Sequence, residues 1–159
     1  MRPTALFFIL GVAALGASTP ERADEGLERH KAIARRWIEE GFNRKDLAVV
    51  NEIFADGIVV NGQRIGRQGL KQGMSQRFAA FPDLQVDLTA TVAEGDEVAI
   101  WYTARGTQRG DFGSVRATGR TATWTGSDLL RFEGNMIVEA HFLDDSLGLM
   151  RHLGAVALR

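Results

Sequence analysis

The chain has no cysteine, three prolines, one tyrosine and three histidines in 159 residues. Without cysteine there is no disulfide, no thiolate nucleophile and no cysteine-bound metal. His30, His141 and His152 are too scattered for a zinc-type spacing. No glycine-rich loop joins a strand to a helix, so nucleotide binding has no support, and no serine sits in a nucleophile elbow. An excess of one charge is missing too. The net charge is −1 with acids and bases interleaved, leaving neither a basic stripe for nucleic acid nor an acidic tail. Hydrophobic residues, at 45%, suffice for one core, and the length sets one domain.

Long apolar runs are lacking except at the start. Met1-Arg2-Pro3 carries a positive charge, Thr4 to Leu15 is almost unbroken apolar sequence, and Ala14 to Ser18 supplies small residues. This is the pattern of a secretory signal peptide, and the run is too short to span a bilayer comfortably. Residues 1–18 are expected to be removed on export, which implies a periplasmic or secreted protein with no stable membrane association after cleavage. Residues 19–26, polar and containing Pro20, read as a flexible lead-in to a domain over 27–159.

Within that domain the periodicity is first helical. Leu27, Ala34, Trp37 and Ile38 mark one face of a helix that closes at Phe42-Asn43. Asp46 can cap a shorter helix through Leu47, Val50 and Phe54. Ile58 to Asn61 is a short strand, Gly62 to Gly66 a turn, and Arg67 to Ala80 a helix with Leu70, Met74 and Phe78 on one face. After Pro82 the period becomes two. Leu84, Val86, Leu88, Ala90 and Val92 alternate with polar or small residues, and Val98–Gly106, Thr121–Phe132 and Met136–Leu143 continue as strands. A helical turn or two follows from Ser146. Helices first and antiparallel strands afterwards predict an α+β domain: N-terminal helices packed on a curved antiparallel β-sheet, with a conical cavity between them.

Several segments resemble the SnoaL-like polyketide cyclases, also called ester cyclases, of the NTF2-like superfamily. They are Trp37 to Leu47, Gly66 to Lys71 with Phe81 to Leu84, Ala93 to Ala99, Thr103 to Thr107, and Ile137 to Gly154. The resemblance covers about residues 28 to 155. It implies an NTF2-like cone, a homodimer through the sheet face away from the cone, no metal and no cofactor. It also implies ring closure of a polyketide ester by intramolecular aldol condensation. One acidic residue at the end of the last strand acts as general acid/base in such proteins, and Asp145 matches that position. The chain differs from the family where Glu139-Ala140-His141 replaces Glu-His-Trp, where Val60-Asn61 replaces Asp-His, and where a proline-rich loop is cut to Gly62 to Ile65.

A carboxylate in a dry pocket can remove the proton of an activated carbon, and the enolate can then attack a carbonyl held nearby. On a regular strand Glu139, His141 and Asp145 share a face, with Asp144 opposite. The resemblance makes Asp145 the expected acid/base, and the shared face makes His141 its supporting group, although Asp145 could equally cap the terminal helix. Asn61, Trp37, Trp101 and Trp124 are the expected substrate-binding residues, with Tyr102 a further stacking candidate; the core or a turn is the alternative place for each. The expected function is cofactor-independent proton-transfer or aldol-type chemistry on a small apolar carbonyl compound. The alternatives are a non-catalytic small-molecule-binding protein and an isomerase or hydrolase on the same scaffold. Epoxide hydrolysis is expected to need an Asp-Arg-Asp set in the cone, and Asp128 and Arg131 lie on opposite faces of one strand.

Overall fold

A computed structural model describes residues 20–156, with side chains from residue 24 onward. Residues 1–18, expected to be a signal peptide, lie outside these. Helix α1, Pro20–Arg36, begins within the expected lead-in, because proline at the first helical turn gives up no needed N–H. It runs directly into a π-helical stretch, Trp37–Asn43. Asp46 accepts from the Ala48 N–H at 2.8 Å, and α2, Val49–Ile53, follows. Phe54, expected in that helix, instead opens strand β1, Phe54–Val60. The elements after it are β2 (Gln63–Arg64), α3 (Gly66–Ala80), β3 (Gln85–Glu94), β4 (Glu97–Thr107), β5 (Thr121–Glu133), β6 (Met136–Asp144) and α4 (Ser146–His152).

The strands form one curved six-stranded sheet in the order β2-β1-β6-β5-β4-β3. Neighbours are antiparallel, except that β1 joins β6 in parallel. Alternation decides what the sheet buries. Val98, Ile100, Tyr102 and Ala104 of β4, and Ala122, Trp124, Asp128, Leu130 and Phe132 of β5, all face the helices. Trp37 is 1% exposed, and it meets Phe42 and Phe54 edge-on at 4.8 and 4.9 Å. Truncating such a residue costs about 3–5 kcal/mol.

Two bulges alter the expected alternation. In β3 the register shifts between Leu88 and Ala90, so Ala90 and Val92 turn to the outer face, where Val92 is 58% exposed. One extra residue reverses every side chain beyond it. In the β5–β6 pair the shift falls between Phe132↔Ile137 and Arg131↔Glu139, so Ile137 and Ala140 are both buried. From Ala140 on, even-numbered residues of β6 face the helices. Among the described residues, no helix is long and apolar enough to cross a membrane.

Candidate active site

Between α3, the π-helical stretch and the sheet lies a cavity of about 220 Å³. Its walls include Trp37, Phe42, Leu70, Met74 and Phe142, and its polar floor is Arg77, Tyr102, Asp128 and Asp144. Helical spacing brings Leu70, Met74 and Arg77 to one face of α3. Cross-strand register assembles the rest. Tyr102 of β4, Gly126 of β5 and Asp144 of β6 form one row across the sheet, and Asp128 lies two residues along β5 on the same face.

The two carboxylates have different partners. Asp128 is 3% exposed and accepts the indole N–H of Trp37 at 3.1 Å. Asp144 accepts the Arg77 guanidinium at 2.6 Å and the Trp124 indole N–H at 3.1 Å. The Tyr102 hydroxyl stands between them, 3.3 Å from Asp128 Oδ1 and 3.2 Å from Asp144 Oδ1. Burial pushes the Asp128 carboxyl up to about 7, and the Asp144 charge adds to this against the Trp37 and Tyr102 donors. Burial works against the Arg77 charge, but its bond and ion pair with Asp144 more than offset this and hold the guanidinium above its ordinary value. Burial, followed by the charges of Asp128 and Asp144, holds the Tyr102 phenol well above the ordinary tyrosine range. The cavity therefore presents Asp128, a carboxyl that can give a proton near neutral pH, beside the arginine-bonded Asp144.

The residues expected from sequence are distributed differently. Asp145 is exposed, lies outside β6 and accepts the Gly148 N–H at 2.8 Å as the cap of α4. It is Asp144, one residue earlier, that faces the cavity, because the bulge in β6 resets the parity. His141 is exposed on the outer face, 3.4 Å from Glu139. Trp101, 46% exposed, lies on that same face. Asn61 sits at positive φ and clamps backbone, donating to the Phe142 carbonyl at 3.2 Å and accepting its N–H at 2.8 Å. Only Trp37 and Trp124 reach the carboxylate cluster. Trp37 also forms part of the cavity wall, whereas the ring of Trp124 packs on Phe81 at 5.3 Å.

Of the two carboxylates facing the cavity, Asp128 had a sequence signal. Along β5 the inward positions read Ala122, Trp124, Gly126, Asp128, Leu130 and Phe132, so Asp128 is a charged residue inside an apolar series. Such a group is buried only with partners. Arg77, three residues beyond Met74, likewise falls on the buried side of α3.

Comparison with known proteins agrees with this architecture. AclR from Streptomyces galilaeus, a candidate hydroxylase, is 26% identical over 82% of this chain and 99% of its own, with a TM-score of 0.73. IdmH from Streptomyces antibioticus, a candidate polyketide cyclase, is 27% identical over 79% of this chain and 98% of its own, with a TM-score of 0.70. A candidate SnoaL-like polyketide cyclase from Jannaschia sp. CCS1, at 21% identity, covers 89% of this chain and 99% of its own with a TM-score of 0.76, and shares the fold. No curated protein matches the chain. The sequence profile of the SnoaL-like polyketide cyclases matches residues 32–153, most of a chain that folds as an NTF2-like cone, and the chain belongs to that family.

Proposed function

We propose that the cavity carries out cofactor-free acid/base chemistry on a small apolar carbonyl compound, with Asp144 as the base and Asp128 as the acid. The observation that carries this reading is two carboxyl groups of unlike environment facing one apolar cavity. Asp144 takes the proton from a carbon next to the carbonyl, and Asp128, protonated near neutral pH, gives a proton to the developing oxyanion. Arg77 steadies the charge on Asp144 before the reaction. An apolar cavity of about 150 Å³ accommodates benzene. The 220 Å³ here therefore suits a single substituted ring better than a tetracyclic polyketide.

The test is proton exchange in deuterated water. Single-ring β-keto esters and enones are incubated with the protein, and loss of the activated C–H signal is followed by NMR. Exchange faster than buffer, reduced at least ~100-fold by Asp144→Asn, is the expected result, that being the usual scale of a general base. Exchange unchanged by Asp144→Asn and by Asp128→Asn overturns the assignment.

A hydrolase reading is favoured by one observation: Arg77, from α3, completes with Asp128 and Asp144 the Asp-Arg-Asp set that Arg131 does not. In that reaction Asp144 takes a proton from water, the water oxygen bonds to an epoxide carbon, the ring C–O bond breaks, and Asp128 protonates the oxygen. Diol formation from styrene oxide, lost in Asp144→Asn, distinguishes it from the carbonyl chemistry.

The same proposal places the protein outside the cytoplasm, on the strength of the leader pattern in residues 1–18. It also pairs two copies through the outer sheet face. Val92, Trp101, Leu129 and Leu143 are exposed there, an apolar grouping that a partner copy would cover.

A further inference from the structure

Gly126 and Tyr102 face each other in the β4–β5 register. A Cβ added to Gly126 would lie 2.5 Å from both Cε2 and the hydroxyl oxygen of Tyr102. The ring therefore lies across the space that any other residue would fill at position 126. Gly126 has no positive φ and forms no turn, so its backbone does not call for glycine. What the missing side chain permits is the reach of Tyr102 over β5. Asp144 is the next residue in the same row, on the far side of Gly126. The hydroxyl consequently bonds to carboxylates on two strands, Asp128 on β5 and Asp144 on β6. The charged and titratable groups around this hydroxyl come from each packed element: Arg77 from α3, Asp128 from β5 and Asp144 from β6.

We propose that Tyr102, seated by Gly126, relays a proton between the two carboxylates and so resets the site after each turnover. The inference rests on the acid/base reading of the cavity. After a turnover that begins at Asp144 and ends at Asp128, Asp144 holds a proton and Asp128 has lost one. The Asp144 O–H donates to the Tyr102 oxygen, and the Tyr102 O–H proton moves to Asp128 Oδ1. One O–H bond breaks and one forms at each step, tyrosine ends neutral, and no electron is transferred. Asp128, almost sealed from water, regains its proton from within the site rather than from solvent. Gly126 is the positioning residue of this relay.

The test uses the whole mature protein with carbon-13-labelled aspartate carboxyls, titrated by NMR from pH 4 to 9, with Asp128→Asn and Asp144→Asn as assignment controls. In the wild type the Asp144 carboxyl carbon is expected to shift in the same pH step as Asp128. In Tyr102→Phe, which keeps the ring and removes the hydroxyl, the Asp144 response in that step is expected to vanish and the Asp128 step to move up. Gly126→Ala should do the same with the tyrosine retained, and Tyr102→Phe alone decides if Gly126→Ala does not fold. An Asp144 carbon that follows Asp128 equally in Tyr102→Phe would reflect charge felt through space and overturns the relay. So does an Asp144 carbon that never follows Asp128 in the wild type. In both cases the acid/base reading stands as long as Asp128 titrates near neutrality. An Asp128 that titrates as an ordinary carboxylate instead overturns that reading, and the relay with it.

Discussion

The Arg77 guanidinium donates to Asp144 across 2.6 Å and so ties α3 to the last strand at the floor of the cavity. Both side chains are mostly shielded, with 25% and 17% of their surface exposed. Replacing Asp144 with asparagine leaves the guanidinium with a neutral acceptor. The expected cost is about 1–3 kcal/mol, read as a lower urea midpoint at pH 7. Replacing Arg77 with methionine should cost less, because the carboxylate keeps the Tyr102 and Trp124 donors.

Asp128 gives stability a pH dependence of defined sign. Its folded value, about 7, lies above the 3.8 of an ordinary aspartate, so the folded state holds the proton longer than the unfolded chain does. That contribution is complete below about pH 4 and is lost as pH rises through 7. The span is on the order of 4 kcal/mol. The depressed carboxyls of Asp83, bonded by Thr107, and Glu40, bonded by Arg36, act in the opposite direction and only in the acid range. Urea midpoints of the wild type should therefore fall between pH 5 and 8, whereas those of Asp128→Asn should stay nearly level. Equal slopes in the two proteins would mean that Asp128 is not a neutral carboxyl in the fold.

The helices and strands were legible because their periods survive in sequence: Leu70, Met74 and Phe78 for α3, and the strict alternation of β4. The faces were less legible. The bulges at Leu88/Ala90 in β3 and at Val138 in β6, between Ile137 and Glu139, carry no distinctive residue, yet each inverts the side chains beyond it. That inversion is why Asp144 rather than Asp145 faces the cavity, and why Ala90 and Val92 face outward. Asp128 is legible as an acid among apolar positions, but the sequence offers only Arg131 nearby as its partner, and Arg131 pairs outside with Glu139. Its actual partners, Trp37 and Tyr102, are 91 and 26 residues away, and only the fold brings them together.

Asp145 offers a separate check on the division of labour at the end of β6. As the cap of α4 it satisfies the Gly148 N–H. Asp145→Ala should cost about 1 kcal/mol, while Asp145→Asn, which keeps an acceptor, should cost almost nothing. Neither should reduce carbon-acid exchange in deuterated water. A 100-fold loss in Asp145→Asn would return the base to the position that the family resemblance assigns.

The proposed export implies a shortened chain. Expressed with residues 1–18 in place in a bacterial host, the protein should appear in the periplasmic or culture fraction with a mass lacking roughly those residues, the usual size of such a leader. A full-length mass in the cytoplasmic fraction would remove the leader reading and leave the cavity chemistry unaffected.

The outer face of the sheet carries the last prediction. Trp101 and Leu143 are 46% and 66% exposed on neighbouring parts of this face, beside Leu129. Leaving such side chains in water forgoes roughly 25 cal/mol for each Å² that a partner could cover. A two-fold pairing would present the same patch from each copy, as closed dimers require. Arg131, bonded to Glu139 at 3.0 Å, lies in register with it on this face and could form part of a polar rim. The mature protein should sediment as a dimer, and Trp101→Arg should move it toward monomer without changing its far-ultraviolet dichroism. The cavity lies on the opposite face, so exchange activity per chain should fall little. A wild-type protein that sediments as a monomer at high micromolar concentration would mean that this face is left open.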